Sequence, residues 1–423
     1  MGAGFGRLWT ASTAGDLGDG VGRVAIALLA AQLTREPMAV AVITALSYLP
    51  WLVLGLPAGV LVDRYDRRML ALAAGGLRAV AVAVLVVAAA GDWASLWLLY
   101  GVVVILYSCE TVYDNAVSST VPMVVADHDD LERANGRMEG ARLVAQQFIG
   151  PPLAGLVFAL AAAAAFGIHL ASYVVAVLLL LTLPGSYRAA RREDTGAPPR
   201  PPSMFREMAD GLRYLRAHPV HRPLLALMMA LGFGGAMVNA TMVLWAQDVL
   251  GVSEALYGVF GLTMAVGALA GSQTAAAVAR RAGRGRSLWI TMVVAGVGGL
   301  LAAATTSPYF AAAGLVVVGW ANVTFNVVNV SLRQRLTEPE LLGRVMGTYR
   351  AATISVMLIG AVAGGAVASL GGLRLPWLVF GVGFLLTSAL TLCRLRSIDR
   401  AAPPQDAGGD ADGDDDQAEV PSR

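Results

Sequence analysis

Ionisable and amide side chains interrupt long apolar runs at a few places in this sequence. Asp16, Asp19 and Arg23 are spaced i, i+3 and i+7, which puts them on one face of a helix. Glu110 and Asp114 follow at i and i+4, with Tyr107 one turn earlier. Glu139, Arg142 and Gln146 share a third face, and Asn322, Asn326, Asn329 and Arg333 form a polar stripe at i, i+4, i+7 and i+11. Asn239 and Trp245 add an amide and an indole to a further run, and Arg350 is one more charge at depth. Such groups are costly inside a bilayer and face a partner or a cavity. The chemistry they could do is proton exchange and polar recognition of a solute. Glu110 has no cation near it in sequence, so it leads the candidates for a group that takes and releases a proton, followed by Asp19 and Asp16. Plainer roles stay open. Asp19 and Arg23 could neutralise each other within one helix, Asp114 with Arg142 could form a structural gate, and the Asn stripe could hydrogen-bond neighbouring helices.

The elements that must position these groups follow from composition. The chain of 423 residues is 57% hydrophobic and 14% charged, and its mean hydropathy is +0.64. A soluble domain carries about 25% charged residues. The apolar excess falls in long blocks, and a membrane-spanning helix needs about 20 such residues. The pattern predicts an all-α membrane protein with spans near 8–33, 38–61, 70–90, 95–118, 140–162, 166–184, 223–247, 255–278, 287–306, 309–332, 346–369 and 375–394. All basic residues are Arg, which excludes a Lys Schiff base. Four scattered histidines and the apolar-flanked Cys109 and Cys393 have no metal-ligand spacing, so neither metal nor cofactor is expected. There is no P-loop and no paired nucleophile and base, so an enzyme is not expected.

Arg64, Arg67 and Arg68, Arg133 and Arg137, Arg280 to Arg286, and Arg333 to Arg344 fall in one set of loops, while the opposite loops hold only Arg35 and Arg374. The positive-inside rule puts both termini in the cytoplasm of a plasma-membrane protein. The basic loops read as membrane anchors, and no nucleic-acid partner is expected. The chain divides into a first bundle (1–185), an Arg- and Pro-rich linker with an amphipathic helix carrying Met204, Met208, Leu212 and Leu215 (186–222), a second bundle (223–396) and an acidic, disordered tail (397–423).

An offset of about 210 residues aligns the halves. Asp130-Leu131 falls on Glu340-Leu341, Ile149-Gly150 on Ile359-Gly360, and Gly155 on Gly365, while Gly59 has a counterpart in Gly271. Duplicated halves enclosing a midplane site are a transporter architecture. The loop Gly59-Val-Leu61-Val-Asp63-Arg64-Tyr-Asp66-Arg67-Arg68 resembles the signature loop between helices two and three of the major facilitator superfamily, with Asp66 where the family usually has Gly. Gly15-Asp16-Leu-Gly-Asp19, Leu131-Glu132-Arg133-Ala134-Asn135 and Gly150-Pro151-Pro-Leu-Ala-Gly155 resemble the bacterial branch of siderophore exporters and macrolide efflux pumps, and the last also resembles the helix-five motif of drug–proton antiporters.

The resemblance implies two six-helix bundles, a cavity lined by helices one, four, seven and ten, and efflux of an amphipathic compound driven by protons, as in multidrug resistance. Cavity residues would be Asp16, Asp19, Arg23, Tyr107, Glu110, Asp114, Asn239, Trp245, Asn322, Asn326 and Asn329, with Phe325 as a further aromatic. Asp63 would pair with Arg side chains to hold the outward-facing state, Gly59 would mark a tight approach, and Arg142 and Arg350 would serve as gates, Arg350 toward Asp63. The Arg that many proton-coupled members carry early in helix four is absent. Partners would be a small-molecule substrate, protons and the lipid bilayer, for a protein acting as a monomer. Uptake of a small metabolite, or a transport-inactive receptor or scaffold on the same fold, are the alternatives.

Overall fold

The structure is a computed structural model that describes residues 2–125, 127–185, 187, 213, 215, 218 and 220–401. Among these residues it is helical throughout, without strands. α1 (Ala3–Leu33), α2 (Pro37–Arg64), α3 (Arg67–Ala90) and α4 (Leu96–Val124) are unbroken rods. The fifth rod is composite, because α5 (Leu131–Leu143) and α6 (Gly150–Phe158) are joined by a π-helical turn, Val144–Ile149. α7 (Ala162–Leu181) completes the first bundle. α8 (His221–Leu244) ends in a second π-helical turn, Trp245–Val249. α9 (Glu254–Ala282), α10 (Arg284–Ala304), α11 (Pro308–Leu336), α12 (Pro339–Gly371) and α13 (Leu375–Ala401) follow.

Among the described residues, 9 helices are long and apolar enough to cross a membrane. The remaining rods are α1, which its own charges interrupt, the broken fifth rod, and α13, whose apolar stretch covers Leu375–Thr391. Helix ends obey local chemistry. The Glu36 carboxylate accepts from Ala39 N at 2.7 Å and Pro37 opens α2, while Gly283 (φ 84°) and Gly372 (φ 82°) supply the positive φ at which α9 and α12 stop.

The neighbour pattern of the first bundle recurs in the second. α3 packs on α4 and α7 as α10 packs on α11 and α13, and α2 packs on α4 as α9 packs on α11. Two seams join the bundles, α2 with α12 and α6 with α9. Both rely on glycine to bring backbones together. A Cβ at Gly258 would fall on the Pro151 carbonyl, one at Gly155 would lie 2.9 Å from Ala255 O, and one at Gly365 would lie 3.0 Å from Met38 Cα. Repeat-related glycines therefore do matching jobs: Gly155 and Gly365 at the seams, Gly150 against Gly20 of α1, and Gly360 against Phe233 of α8. Gly59 and Gly271 do not match. A Cβ at Gly271 would lie 2.6 Å from Trp320 O, whereas nothing lies within 4 Å of a Cβ at Gly59, so the tight approach expected there is absent.

Polar bonds between the bundles sit on the face away from the chain termini. Gln32 Nε2 donates to Glu254 Oε1 at 2.9 Å, Arg35 Nη1 to Gln247 Oε1 at 2.8 Å and Asp248 Oδ1 at 3.0 Å, and Ser369 Oγ to Glu36 Oε1 at 3.3 Å. No hydrogen bond joins the bundles on the terminal face among the described residues. The hydrogen bonds that join the bundles are thus gathered at one face. Of the amphipathic linker segment only Arg213 and Leu215 are described, and Leu215 is buried in the second bundle's core. The acidic tail, apart from its first residues, lies outside the described residues.

Candidate functional site

The site is built on α1. Its run Gly18-Asp19-Gly20-Val21-Gly22 alternates glycines with side chains, so neighbours reach the helix backbone between them. A Cβ at Gly18 would lie 3.0 Å from Ser172 Cβ, one at Gly20 would lie 2.8 Å from Ala145 O, and one at Gly22 would fall on the His169 ring. α7 and the π-turn therefore press against α1, and the two carboxylates find partners on other helices.

Asp19 accepts from the Arg78 guanidinium of α3 and from the Tyr173 hydroxyl of α7. Arg78 is 2% exposed, its Nη2 also donates to Tyr173 Oη at 2.6 Å, and its Cζ lies 4.2 Å from the centre of the Tyr173 ring and 5.5 Å from that of Tyr113. The intrahelical Asp19–Arg23 pair does not form, because Arg23 turns to the amide oxygen of Gln146. The other end of that amide donates to Asp16 Oδ1 at 2.8 Å, and Ser12 Oγ reaches Asp16 Oδ2 at 3.5 Å.

On α4, Glu110, Asp114 and Tyr107 are half-buried. Arg23 and Arg78 act on Glu110 through space, but no hydrogen bond or ion pair reaches the carboxyl group of Glu110 or of Asp114 among the described residues. The gate expected between Asp114 and Arg142 is replaced by an exposed Arg142–Glu139 pair at 2.9 Å, since Glu139 lies on the same helix face.

The second bundle offers amides. Asn239 is exposed on α8, beside the Tyr48 hydroxyl of α2. The α11 stripe divides: Asn326 is exposed and Asn322 half-buried, whereas Asn329 and Arg333 are buried. Asn329 Nδ2 donates to Leu224 O at 3.5 Å, and Arg333 stacks 4.4 Å from the Tyr349 ring centre. Trp245 and Phe325, expected in the cavity, are core residues instead. Trp245 is fully buried with its ring centre 4.8 Å from that of Trp377, and Phe325 is 1% exposed in the same cluster.

At the terminal face, Asp63 and Arg64 are exposed and without a hydrogen bond or ion pair among the described residues. The neighbouring Asp66, the departure from the family pattern, does the local work. Its Oδ1 caps α3 at Arg68 N (2.9 Å) and Met69 N (3.2 Å), and its Oδ2 accepts from Tyr187 N at 3.0 Å. Arg67 donates to Ser119 O at 2.6 Å, and Arg68 donates to Leu180 O at 3.0 Å and Leu181 O at 2.7 Å, so both tie down carbonyls near the ends of α4 and α7. Arg350 does not reach Asp63. It lies 5.0 Å over the Trp51 ring, about three turns of α2 away from that residue.

Sequence reasoning missed Arg78, Tyr113, His169 and Tyr173. The available signal was Arg78 itself, a lone cation in the apolar run from Leu70 to Ala90.

Residues 3–408 match the model of a family described as transmembrane secretion effectors. Macrolide efflux protein A of Streptococcus pyogenes is 22% identical over 399 residues, covering 92% of this chain and 93% of that protein. The enterobactin exporter EntS of Salmonella typhimurium is 26% identical over 364 residues, 83% of each. Among solved structures, the nucleoside transporter NupG superposes with a TM-score of 0.73 at 13% identity, covering 93% of this chain and 100% of that one. A bacterial homologue of the iron transporter ferroportin in an inward-facing state gives 0.67 at 19% identity, covering 92% and 98%.

Proposed function

Because the chain belongs to the transmembrane secretion effector family of the major facilitator superfamily, we propose that it exports an amphipathic organic compound across the plasma membrane by alternating access, in exchange for protons. The observation that carries this reading is the placement of Glu110 and Asp114. Two carboxyl groups lie half-buried in a helix that spans the membrane, with neither hydrogen bond nor ion pair among the described residues. Two further carboxylates, Asp16 and Asp19, are already satisfied by Gln146, Arg78 and Tyr173. Groups held this way are free to exchange a proton or meet a solute, whereas a purely structural charge would be paired.

The conformation agrees with the reading. The hydrogen bonds and glycine contacts that join the bundles on the face away from the termini fit an end state of an alternating cycle closed at that face. With both termini placed in the cytoplasm by the Arg asymmetry, this state faces inward. The pairing of Asp63 then belongs to the opposite state, in which the terminal face closes. Relatives named for efflux of a macrolide and export of enterobactin favour outward transport of a drug, secondary metabolite or siderophore.

Accumulation of macrolides, cationic dyes and a catecholate siderophore, compared in cells with and without the protein, tests the proposal. At least one compound should accumulate less in the expressing cells, and a protonophore should abolish the difference. Equal accumulation of the whole panel, or a difference that survives loss of the gradient, would count against it.

A further inference from the structure

We propose that the π-helical turn Val144–Ile149 is a coupling element with Gln146 as its positioning residue: it links the buried charges of α1 to the seam that closes the face away from the termini. The turn touches both. On one side, Gln146 spans Asp16 and Arg23, donating to the carboxylate at 2.8 Å and accepting from the guanidinium. Gly20 of α1 docks into the widened turn, where a Cβ would lie 2.8 Å from Ala145 O and 2.9 Å from Gln146 Cα. On the other side the turn runs directly into Gly150, Pro151 and Gly155, and the last two meet α9 at Gly258 and Ala255.

A π-turn holds one residue more than an α-turn. Its loss would rotate Gln146 by about 100° relative to the seam. Gln146 would leave either Asp16 and Arg23 or its register with Pro151 and Gly155. The bonds to Gln146 and the position of the seam are therefore alternatives of a single backbone turn.

Proline alone does not explain the turn. Pro50 and Pro57 lie within α2 and Pro122 within α4, and both helices stay α-helical. The second bundle supplies the control. α12, the counterpart of the fifth rod, is one continuous α-helix, and an offset of about 210 puts Val356 where the first bundle has Gln146. The first bundle, with Asp16, Asp19 and Arg23 midway along its first helix, has the turn in its fifth rod, whereas the second, with no ionisable side chain between Pro223 and Gln247, has its π-turn at the end of α8 instead. A cleft of about 420 Å³ beside the turn Val144–Ile149 is lined by Trp9, Thr13, Arg137, Val144, Ala145 and Ile149.

The inference takes its purpose from the export reading, but its test needs no substrate, so a failed export assay would not refute it. Spin labels at Tyr65 and Gly343, one per bundle on the terminal face, report the opening in the full chain in lipid nanodiscs, with Cys109 and Cys393 replaced by Ala. The unaltered turn should give mainly the long separation. Gln146→Leu removes both bonds at similar volume, and deletion of the exposed Gln147 removes the extra residue. Each should move the ratio of open to closed by about tenfold or more, and Gln146→Glu, which can still accept from Arg23, should fall between. If Gln146→Leu does not fold, the deletion decides. Folded variants with the original distance distribution would overturn the proposal, including variants that have lost export, because Gln146 would then only contact the transported species.

Discussion

The two bundles share a helix plan but fill their centres differently. Where α1, α3 and α7 meet, the first bundle holds Asp19, Arg78 and Tyr173 in one buried hydrogen-bonded cluster. The corresponding helices of the second, α8, α10 and α13, meet in a core of Trp245, Trp377, Phe380 and Phe384, with ring centres 4.8 Å apart for the two Trp and 4.2 Å for the two Phe. No ionisable side chain lies between Pro223 and Gln247 of the second bundle. The two centres are thus specialised: that of the first bundle carries charges, while that of the second is an aromatic core, with its buried Arg333 set apart against Tyr349. A buried ion pair needs partners on specific helices, whereas an aromatic core needs only volume and shape.

The largest effects should separate these two centres. Arg78→Ala leaves Asp19 buried without its cation, a loss of about 3–5 kcal/mol, and thermal unfolding in detergent should record it. Phe384→Ala should cost about 3–5 kcal/mol by opening a cavity. The two should differ in rescue: Asp19→Asn should restore most of the stability lost in Arg78→Ala, and no polar substitution should restore Phe384→Ala. A normal melting profile for Arg78→Ala would dissolve the contrast.

The seam comes next. Gly258→Val must displace the Pro151 carbonyl, and overpacking of this kind costs about 1–3 kcal/mol. A cysteine introduced at Asn239 should become more reactive toward an impermeant reagent applied to the face away from the termini. Unchanged reactivity would place the seal elsewhere. The smallest effect belongs to Arg35→Ala. Arg35 and Asp248 are 55% and 39% exposed, so losing their pair should shift the same reactivity by less than about 1 kcal/mol. A larger shift would make the latch, rather than the glycine seam, the main closure.

What the sequence made legible follows the same division. The all-helical membrane fold and the matched glycines at 150 and 360 or 155 and 365 were readable, because hydropathy and repeat register are properties of the chain itself. Pairings between helices were not. Asp19 and Arg23 sit one turn apart and look like partners, yet Arg78 and Gln146, distant in sequence, take them. The misplacement of Trp245 has a simple cause: it lies six residues after Asn239, a rotation of about 240° on a helix, so the two cannot share a face. The Asn stripe divides because Asn329 donates to Leu224 O of α8, the bond to a neighbouring helix that was one of its two open roles and that spacing does not choose between.

The central claim is that the first bundle's free carboxylates couple export to protons. Purified protein in liposomes with an imposed pH gradient, loaded with whichever compound the accumulation panel identifies, tests it through Glu110→Gln. Uphill export should stop while exchange without a gradient continues, because Gln matches the protonated acid in size and polarity but cannot release a proton. Gradient-driven export at the unaltered rate by Glu110→Gln, by Asp114→Asn and by the double variant would contradict it.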